Sequence, residues 1–378
     1  MTTVGGLDAA TVVRPGSTEE VAEVMRDAAS RGLSVVPRGR GTKLGWGMAP
    51  TSVDLVVDLS AMDQVLDHQA GDLIVDTQAG TRLAELQQVV GKQGQRLAIE
   101  ETVPGASVGG TLATNTSGPQ RMLVGSARDL LIGITVVRAD GVVAKAGGRV
   151  VKNVAGYDLG KLMVGSYGTL AVITEAVFRL HPVPDVRRWV SVPVEDADRA
   201  HELAQAVVHS QAVPWAVEID RRGSGAGTLT VELGGKAEGV EARAAAVRRL
   251  LGDSASVADE APPGWATYPD GPVLLKLTFA LSGLRDVLAA AGEAGLHVRG
   301  SAGAGVVHAA AQDAAALDPL RAVCARYGGS VVVVDAPSAV KEAVDVWGPV
   351  PALDLMRRVK DQFDPDHRLA PGRFVGGI

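Results

Sequence analysis

The sequence predicts an α+β protein of two domains followed by a C-terminal segment, and three features lead to that expectation. The chain has 378 residues, more than one hydrophobic core usually serves, and 46% of them are hydrophobic. Short β-branched runs alternate with windows of helical periodicity along the whole length. The run His181-Pro182-Val183-Pro184 then interrupts the pattern and marks a boundary. The expected domains are residues 1–182, 183–345 and 346–378.

In chain order, Ser17-Thr18-Glu19-Glu20 has the spacing of a capping box and opens a helix to about Arg31, with Val21, Val24, Met25 and Ala28 on one face. Strands are expected near 34–37 and 53–58, then at Leu73 to Thr77, with a helix from Thr81 to about Gln93. Ile132 to Val137, the Asp140-Gly141 turn and Val142 to Ala144 read as a β-hairpin. Beyond the boundary the order strand 188–194, helix 195–210, strands 214–220 and 227–233, helix 238–251 is followed by a second round. That round places a strand at 273–279, a helix at 282–295, strands within 296–308, a helix at 312–327 and a strand at 330–335. Two βαββαβ-like units of this kind predict a ferredoxin-like domain with an antiparallel sheet, divided by a proline-bearing linker from Asp253 to Asp270. From about Val350 a helix through Leu353, Met356 and Val359 leads into Phe363-Asp364-Pro365 and Ala370-Pro371-Gly372-Arg373.

Composition removes several function classes. Net charge is −6, basic residues are scattered and aromatic residues make up 3%, which leaves no nucleic-acid groove. No apolar run approaches the roughly 20 residues needed to span a bilayer. The first twenty residues lack a charged stretch followed by an apolar core, so a cytoplasmic protein is expected. Cys324, the one cysteine, excludes an internal disulfide and a self-contained iron–sulfur cluster, so any such cluster must come from another chain.

Three glycine-rich segments carry the chemistry. In Pro37-Arg38-Gly39-Arg40-Gly41-Thr42-Lys43, alternate glycines let successive amides turn inward as an anion-binding nest, and the basic side chains add positive potential. The segment joins two strands, whereas a Rossmann loop would open a helix. In Val103 to Gly118, small residues allow close approach of backbone to a ligand, and Ser107, Thr111, Thr114, Asn115 and Ser117 supply uncharged donors. The third segment is KNVAGYDLGKLMVGSYGTLAVIT, Lys152 to Thr174.

In this order and spacing the three segments resemble the PCMH-type FAD-binding domain of the vanillyl-alcohol oxidase and p-cresol methylhydroxylase superfamily, over residues 12 to 182 and again at the C-terminus. The run GRVVKNVAGYDLGKLMVGSYGTL is similar to the FAD-binding subunits of bacterial glycolate oxidases. The resemblance implies a two-lobed FAD-binding domain, a ferredoxin-like cap and a tail that returns to the FAD domain. It implies that Pro37, Arg38, Gly39, Arg40, Gly41, Thr42 and Lys43, with Pro104, Gly105, Ser107, Val108, Gly109, Gly110 and Thr111, wrap the FAD pyrophosphate. Asn115, Ser117 and Gly118 would lie near the ribityl chain or flavin, and Gly165, Gly168 and Ile173 would meet FAD mainly through backbone. Thr42 stands where some relatives carry a histidine bonded to the flavin, so non-covalent FAD is expected. Tyr157 and Asp158 are weighed as hydrogen-bonding neighbours of the flavin against ordinary satisfied polar groups, and no catalytic residue is assigned.

The implied activity is oxidation of glycolate to glyoxylate within a complex containing a second FAD-bearing subunit and an iron–sulfur subunit, cytoplasmic or held at the inner membrane through partners. Two other readings stay open: a stand-alone FAD-dependent alcohol or lactone oxidoreductase, and a non-catalytic scaffold of the same fold. Where 2-hydroxy-acid dehydrogenase relatives carry the metal-binding pattern GHAGDGNLH, this chain reads Gly300-Ser301-Ala302-Gly303-Ala304-Gly305-Val306-Val307-His308, and no metal is expected. His297 and His308 are read as packed or surface histidines. The departure shifts glycolate oxidation toward the partner flavoprotein and leaves this FAD to electron transfer or assembly. Ala370 replaces an asparagine of the family's closing motif, with loss of its side-chain hydrogen bond.

Overall fold

Ser17 does start a helix, α1 (Thr18–Ser30): its hydroxyl accepts from the Glu20 amide at 3.1 Å. The Glu20 carboxylate closes the box one residue early, accepting from the Gly16 amide at 2.7 Å rather than from Ser17. The computed structural model describes residues 2–148 and 158–378, which form two compact units. The first comprises the chain to Ser117, Gly125–Val183 and Pro349–Ile378; the second comprises Gly118–Val124 and Pro184–Gly348. The expected boundaries assigned 118–124 to the first domain, but this segment packs within the second unit. Its Gln120 amide donates to the buried Glu232 carboxylate at 2.9 Å, which anchors it there.

In the first unit, β1 (Thr11–Val13), β2 (Val35–Arg38) and β3 (Leu55–Asp58) make a parallel sheet in the order β1-β3-β2. Val35, Val36, Val56 and Val57 are all fully buried, as the continuous apolar runs of a parallel sheet require. A second, antiparallel sheet contains β4 (Val65–Gln69), β5 (Ile74–Gln78), β6 (Leu131–Val137), β7 (Val143–Gly147) and β8 (Val172–Arg179), ordered β7-β6-β8-β5-β4. The hairpin β6–β7 turns at Gly141, whose positive φ of 79° matches the Asp-Gly expectation. Helix α2 (Leu83–Gly91) follows β5. The second glycine-rich segment contains a helix that its composition concealed, α3 (Val108–Thr114), capped by Ser107 accepting from the Gly110 amide at 3.3 Å.

The second unit repeats one motif twice. Its first half runs β9 (Val186–Val194), α4 (Ala197–Val208), β10 (Ala216–Arg222), β11 (Gly227–Gly235), α5 (Ala237–Leu251) and β12 (Ser256–Ala258). The second half runs β13 (Val273–Thr278), α6 (Leu284–Glu293), β14 (His297–Ser301), β15 (Val306–Ala311), α7 (Leu317–Arg326) and β16 (Val331–Asp335). All eight strands form one antiparallel sheet, β12-β9-β11-β10-β14-β15-β13-β16. Each half thus has the ferredoxin-like strand order, and the halves join through β10 and β14. The expected linker 253–270 is shorter than its prolines suggested, because residues 256–258 pair with β9 as β12. Its exposed residues give no apolar periodicity to read.

The tail carries α8 (Leu353–Phe363) and then runs beside β2: the Val35 amide donates to Arg368 O and the Ala370 amide to Val35 O, both at 2.8 Å. Ala370 holds a positive φ of 42°, a conformation an asparagine tolerates better than alanine. Lys360 and Asp364 fix this return. Both side chains are fully buried; the ammonium donates to Asp364 Oδ2 at 2.7 Å, to Thr169 O at 2.7 Å and to Leu369 O at 3.0 Å. Asp364 Oδ2 also accepts from the Leu369 amide at 2.6 Å. Burial lowers the Lys360 pKa, and the Asp364 carboxylate opposes that shift. Among the described residues, no helix is long and apolar enough to cross a membrane.

Removing one member of a buried pair strands the other charge, which costs about 3–5 kcal/mol. Lys360→Met should therefore lower unfolding stability by that order in denaturant titration, and Lys360→Met with Asp364→Leu should recover part of it.

Candidate functional site

The turn after β2 is shaped by what its amides lack. Among the described residues, the N–H groups of Gly39, Arg40, Gly41, Thr42 and Lys43 donate no hydrogen bond to protein, although the loop's other end is tied by Trp46 N to Lys43 O at 3.2 Å. Consecutive unpaired amides in a tight loop form a nest for an anion. Gly41 has a positive φ of 79°. Gly39 has no room for a side chain, since a Cβ there would stand 2.1 Å from Ser107 Oγ. The first two glycine-rich segments therefore meet at the Gly39–Ser107 contact.

The basic residues divide their work. Arg40 is turned away, donating to Gly80 O at 3.0 Å and Asp63 at 3.1 Å. Arg38 donates to Thr2 Oγ1 at 3.1 Å and lies 4.0 Å from Asp58, while its Nε is buried without a partner. Lys43 is 7% exposed, and its Nζ has no hydrogen-bond partner. Burial pulls its pKa down to about 8 against the raising influence of Glu101. A buried ammonium without a counter-ion fits an anionic ligand.

Pro37 to Leu44 line a cleft with Ser107, Gly109, Gly110, Gly168 and Ile173 from the other segments. Thr111 Oγ1 and Asn115 Oδ1 are further buried polar atoms without partners, and Asn115 sits at the end of α3 with a positive φ of 49°. The orphaned donors, the nest and the missing Cβ at Gly39 suit a diphosphate-bearing cofactor.

Several expected residues have other duties in this structure. The amides of Val108 and Gly109 donate to Thr81 O at 2.9 Å and Ala79 O at 2.7 Å, so this segment offers fewer amides than its glycines suggested. Gly109 is required by protein: its Cβ would stand 2.9 Å from the Ala79 Cβ. Val108 is fully buried in the core. Ser117 Oγ accepts from the Ala127 amide at 2.9 Å, and the Gly105 amide donates to Glu101 at 2.9 Å. Pro104 is exposed, beside Gly105 in the turn that leads to α3. Gly118 belongs to the segment of the second unit. Gly165 lines an apolar groove with Met356 and Val359, and its amide donates to Leu112 O at 2.9 Å. Asp158 caps the short helix Leu159–Met163, accepting from the Lys161 amide at 3.2 Å, whereas Tyr157 and the 152–157 part of the third segment lie outside the described residues.

Sequence reasoning missed Tyr167 and Arg373 in the cleft. Tyr167 has a positive φ of 57° and stacks on Phe374 with ring centroids 5.5 Å apart. Arg373 is 4% exposed and donates through Nη2 to Leu44 O and Trp46 O, both at 2.9 Å. The arginine of the closing motif was visible in the sequence, but its reach across 329 positions to Leu44 was not.

Comparison with known proteins agrees with this geometry. Residues 9–147 match the family described as FAD binding domain. The chain superposes on a solved alkyldihydroxyacetonephosphate synthase with a TM-score of 0.71 at 19% identity, covering 97% of this chain and 77% of that one. Residues 9–147 thus form an FAD-binding domain, whose cofactor is FAD. By sequence it is 29% identical over 209 residues to glycolate oxidase subunit GlcD of Bacillus subtilis, covering 55% of this chain and 44% of that protein. It is 30% identical over 228 residues to a D-lactate dehydrogenase of Archaeoglobus fulgidus, covering 60% and 50%. It is 35% identical over 174 residues to a D-2-hydroxyglutarate dehydrogenase of Xanthomonas citri, covering 46% and 37%. The matches span half or less of these relatives' length.

Two outcomes test the cleft. Gly39→Ala should drive the loop off Ser107, and the purified variant should carry little flavin by absorbance. For Lys43, a bound diphosphate raises the ammonium's pKa above its ligand-free value of about 8, so FAD binding takes up a proton above that pH. FAD affinity should be flat below pH 8 and fall as pH rises beyond it, whereas Lys43→Met should bind at least tenfold more weakly with that pH dependence lost.

Proposed function

We propose that this chain is the FAD-binding subunit of a 2-hydroxy-acid oxidising complex of the glycolate oxidase type. The observation that carries the reading is the run of unpartnered amides from Gly39 to Lys43, closed by the buried Lys43 ammonium. Bound FAD supplies a two-electron acceptor for oxidation of the acid's CH–OH group. The chain's own residues hold that cofactor: the nest and Lys43 take the diphosphate, and Arg373 keeps the loop in place. FAD is held non-covalently, since Thr42 supplies no histidyl link.

Support for the substrate class comes from the names of the relatives, whose acids are glycolate, D-lactate and D-2-hydroxyglutarate. Support for dependence on partners comes from the chain itself. With Cys324 as its one cysteine, it supplies no cluster of its own, so in this reading the one-electron carriers lie in an iron–sulfur subunit. The metal-binding pattern that the sequence resembles is degraded at Ser301, Ala304 and Val306, which fits a chain that works beside a second flavoprotein.

The purified chain, assayed alone with an artificial electron acceptor, should turn over glycolate, D-lactate and D-2-hydroxyglutarate slowly or not at all. Tagged protein should co-purify with a second flavoprotein and an iron-containing chain that restore turnover. Rapid oxidation by the single chain would favour the stand-alone oxidoreductase and sink the subunit reading.

A further inference from the structure

The anion loop of the first unit carries the cations Arg38, Arg40 and Lys43, and each is faced by a carboxylate from a different stretch of chain. Buried Asp58, at the end of β3, lies 4.0 Å from Arg38 and 3.2 Å from Arg14. Asp63 takes Arg40 at 3.1 Å. Both guanidiniums therefore have a protein counter-ion before any ligand enters. Lys43 is arranged differently. The charge of Glu101 raises the ammonium's pKa against burial, yet among the described residues the two form no ion pair.

The turn after Glu101 brings its carboxylate to the nest. Glu101 Oε1 accepts from the Gly105 amide at 2.9 Å. Gly105 holds a positive φ of 76°, and a Cβ there would stand 3.8 Å from Thr42 Cγ2, so this turn packs against the loop one residue before Lys43. From α3, a Cβ at Gly110 would stand 3.9 Å from Lys43 Nζ. The half-buried carboxylate thus sits beside the end of the nest where the unbonded ammonium enters the cleft. Holding the turn needs only an acceptor at position 101, which a neutral glutamine would also supply. A full negative charge beside an anion site opposes the ligand, so the charge calls for a reason of its own.

We propose that Glu101 is a specificity-determining residue of the cofactor cleft: its carboxylate limits the negative charge the nest accepts, admitting the diester diphosphate of FAD and rejecting nucleotides that end in an ionised phosphate. Each phosphate of a diester carries a single charge, which the amides from Gly39 to Lys43 and one ammonium can meet. The terminal phosphate of ADP or ATP brings further charge. That charge finds both guanidiniums already balanced by Asp58 and Asp63, and it meets Glu101. Discrimination of this kind works by penalising the wrong ligand rather than by adding contacts to the right one. ADP gives the sharpest comparison, because it shares the adenosine and both phosphates of FAD and ends in the extra charge. The inference rests on the cleft's FAD and is independent of which acid is oxidised.

ADP and uncharged adenosine are titrated against the FAD-loaded full chain, with displaced flavin read by fluorescence and FAD affinity taken from dilution. Glu101→Gln, which keeps the acceptor for the Gly105 amide, should tighten ADP about tenfold, tighten FAD by less and leave adenosine unchanged. Glu101→Ser, neutral and shorter, should repeat the gain for ADP, whereas Glu101→Asp should keep the wild-type preference for FAD. An ADP-to-FAD affinity ratio that does not rise in the Gln and Ser variants overturns the proposal, as does an equal gain for adenosine. Every reading is of binding to this chain alone, so a failure here leaves the turnover and co-purification tests of the proposed function untouched.

Discussion

An anion nest keeps its shape only if something other than its ligand holds it, and here that task falls to buried charges of the C-terminal tail. The Arg373 guanidinium donates to the carbonyls of Leu44 and Trp46, which fixes the loop from its far end. Lys360, Asp364 and the 368–370 stretch beside β2 fix the tail in turn. Each of these groups is desolvated, so each must keep all its partners or expose an uncompensated charge. The consequence is a rigid loop whose amides point at no protein acceptor. Preorganisation of this kind lets binding energy go into the ligand rather than into ordering the loop.

The two units treat charge differently. In the first, most buried cations are matched by carbonyls or carboxylates, and Lys43 stands apart with an unpartnered ammonium in the cleft. In the second, the polar sheet face pairs Asp220 with Arg299 and His297, and Glu232 with Arg187 and Gln120. Lys43 in the first unit is the uncompensated cation expected where a ligand completes the charge.

Much of the fold was legible because it rests on local signals. The Ser17 cap, the Asp140-Gly141 turn and the strand and helix periods of the two repeated halves each depend on residues a few positions apart. The short helix Val108–Thr114 was hidden because its residues are small and have little amphipathic pattern, so tertiary packing against Ala79 and Thr81 decided it. Strand β12 was hidden for a related reason, being three exposed residues that pair at a sheet edge.

The candidate site divides along the same line. The sequence by itself determined the glycine-rich loop and its basic residues, because steric freedom and formal charge are properties of residue type. Which of those residues keep unpartnered groups was decided by the tertiary structure. It tied Arg40 to Asp63, spent the amides of Val108 and Gly109 on Thr81 and Ala79, and left the Lys43 ammonium without a hydrogen-bond partner. His308, read from sequence as a packed or surface histidine, is 8% exposed, and strand register sets it beside Lys276. Burial and partnership are relations between distant segments, and the order of residues along a chain does not encode them directly.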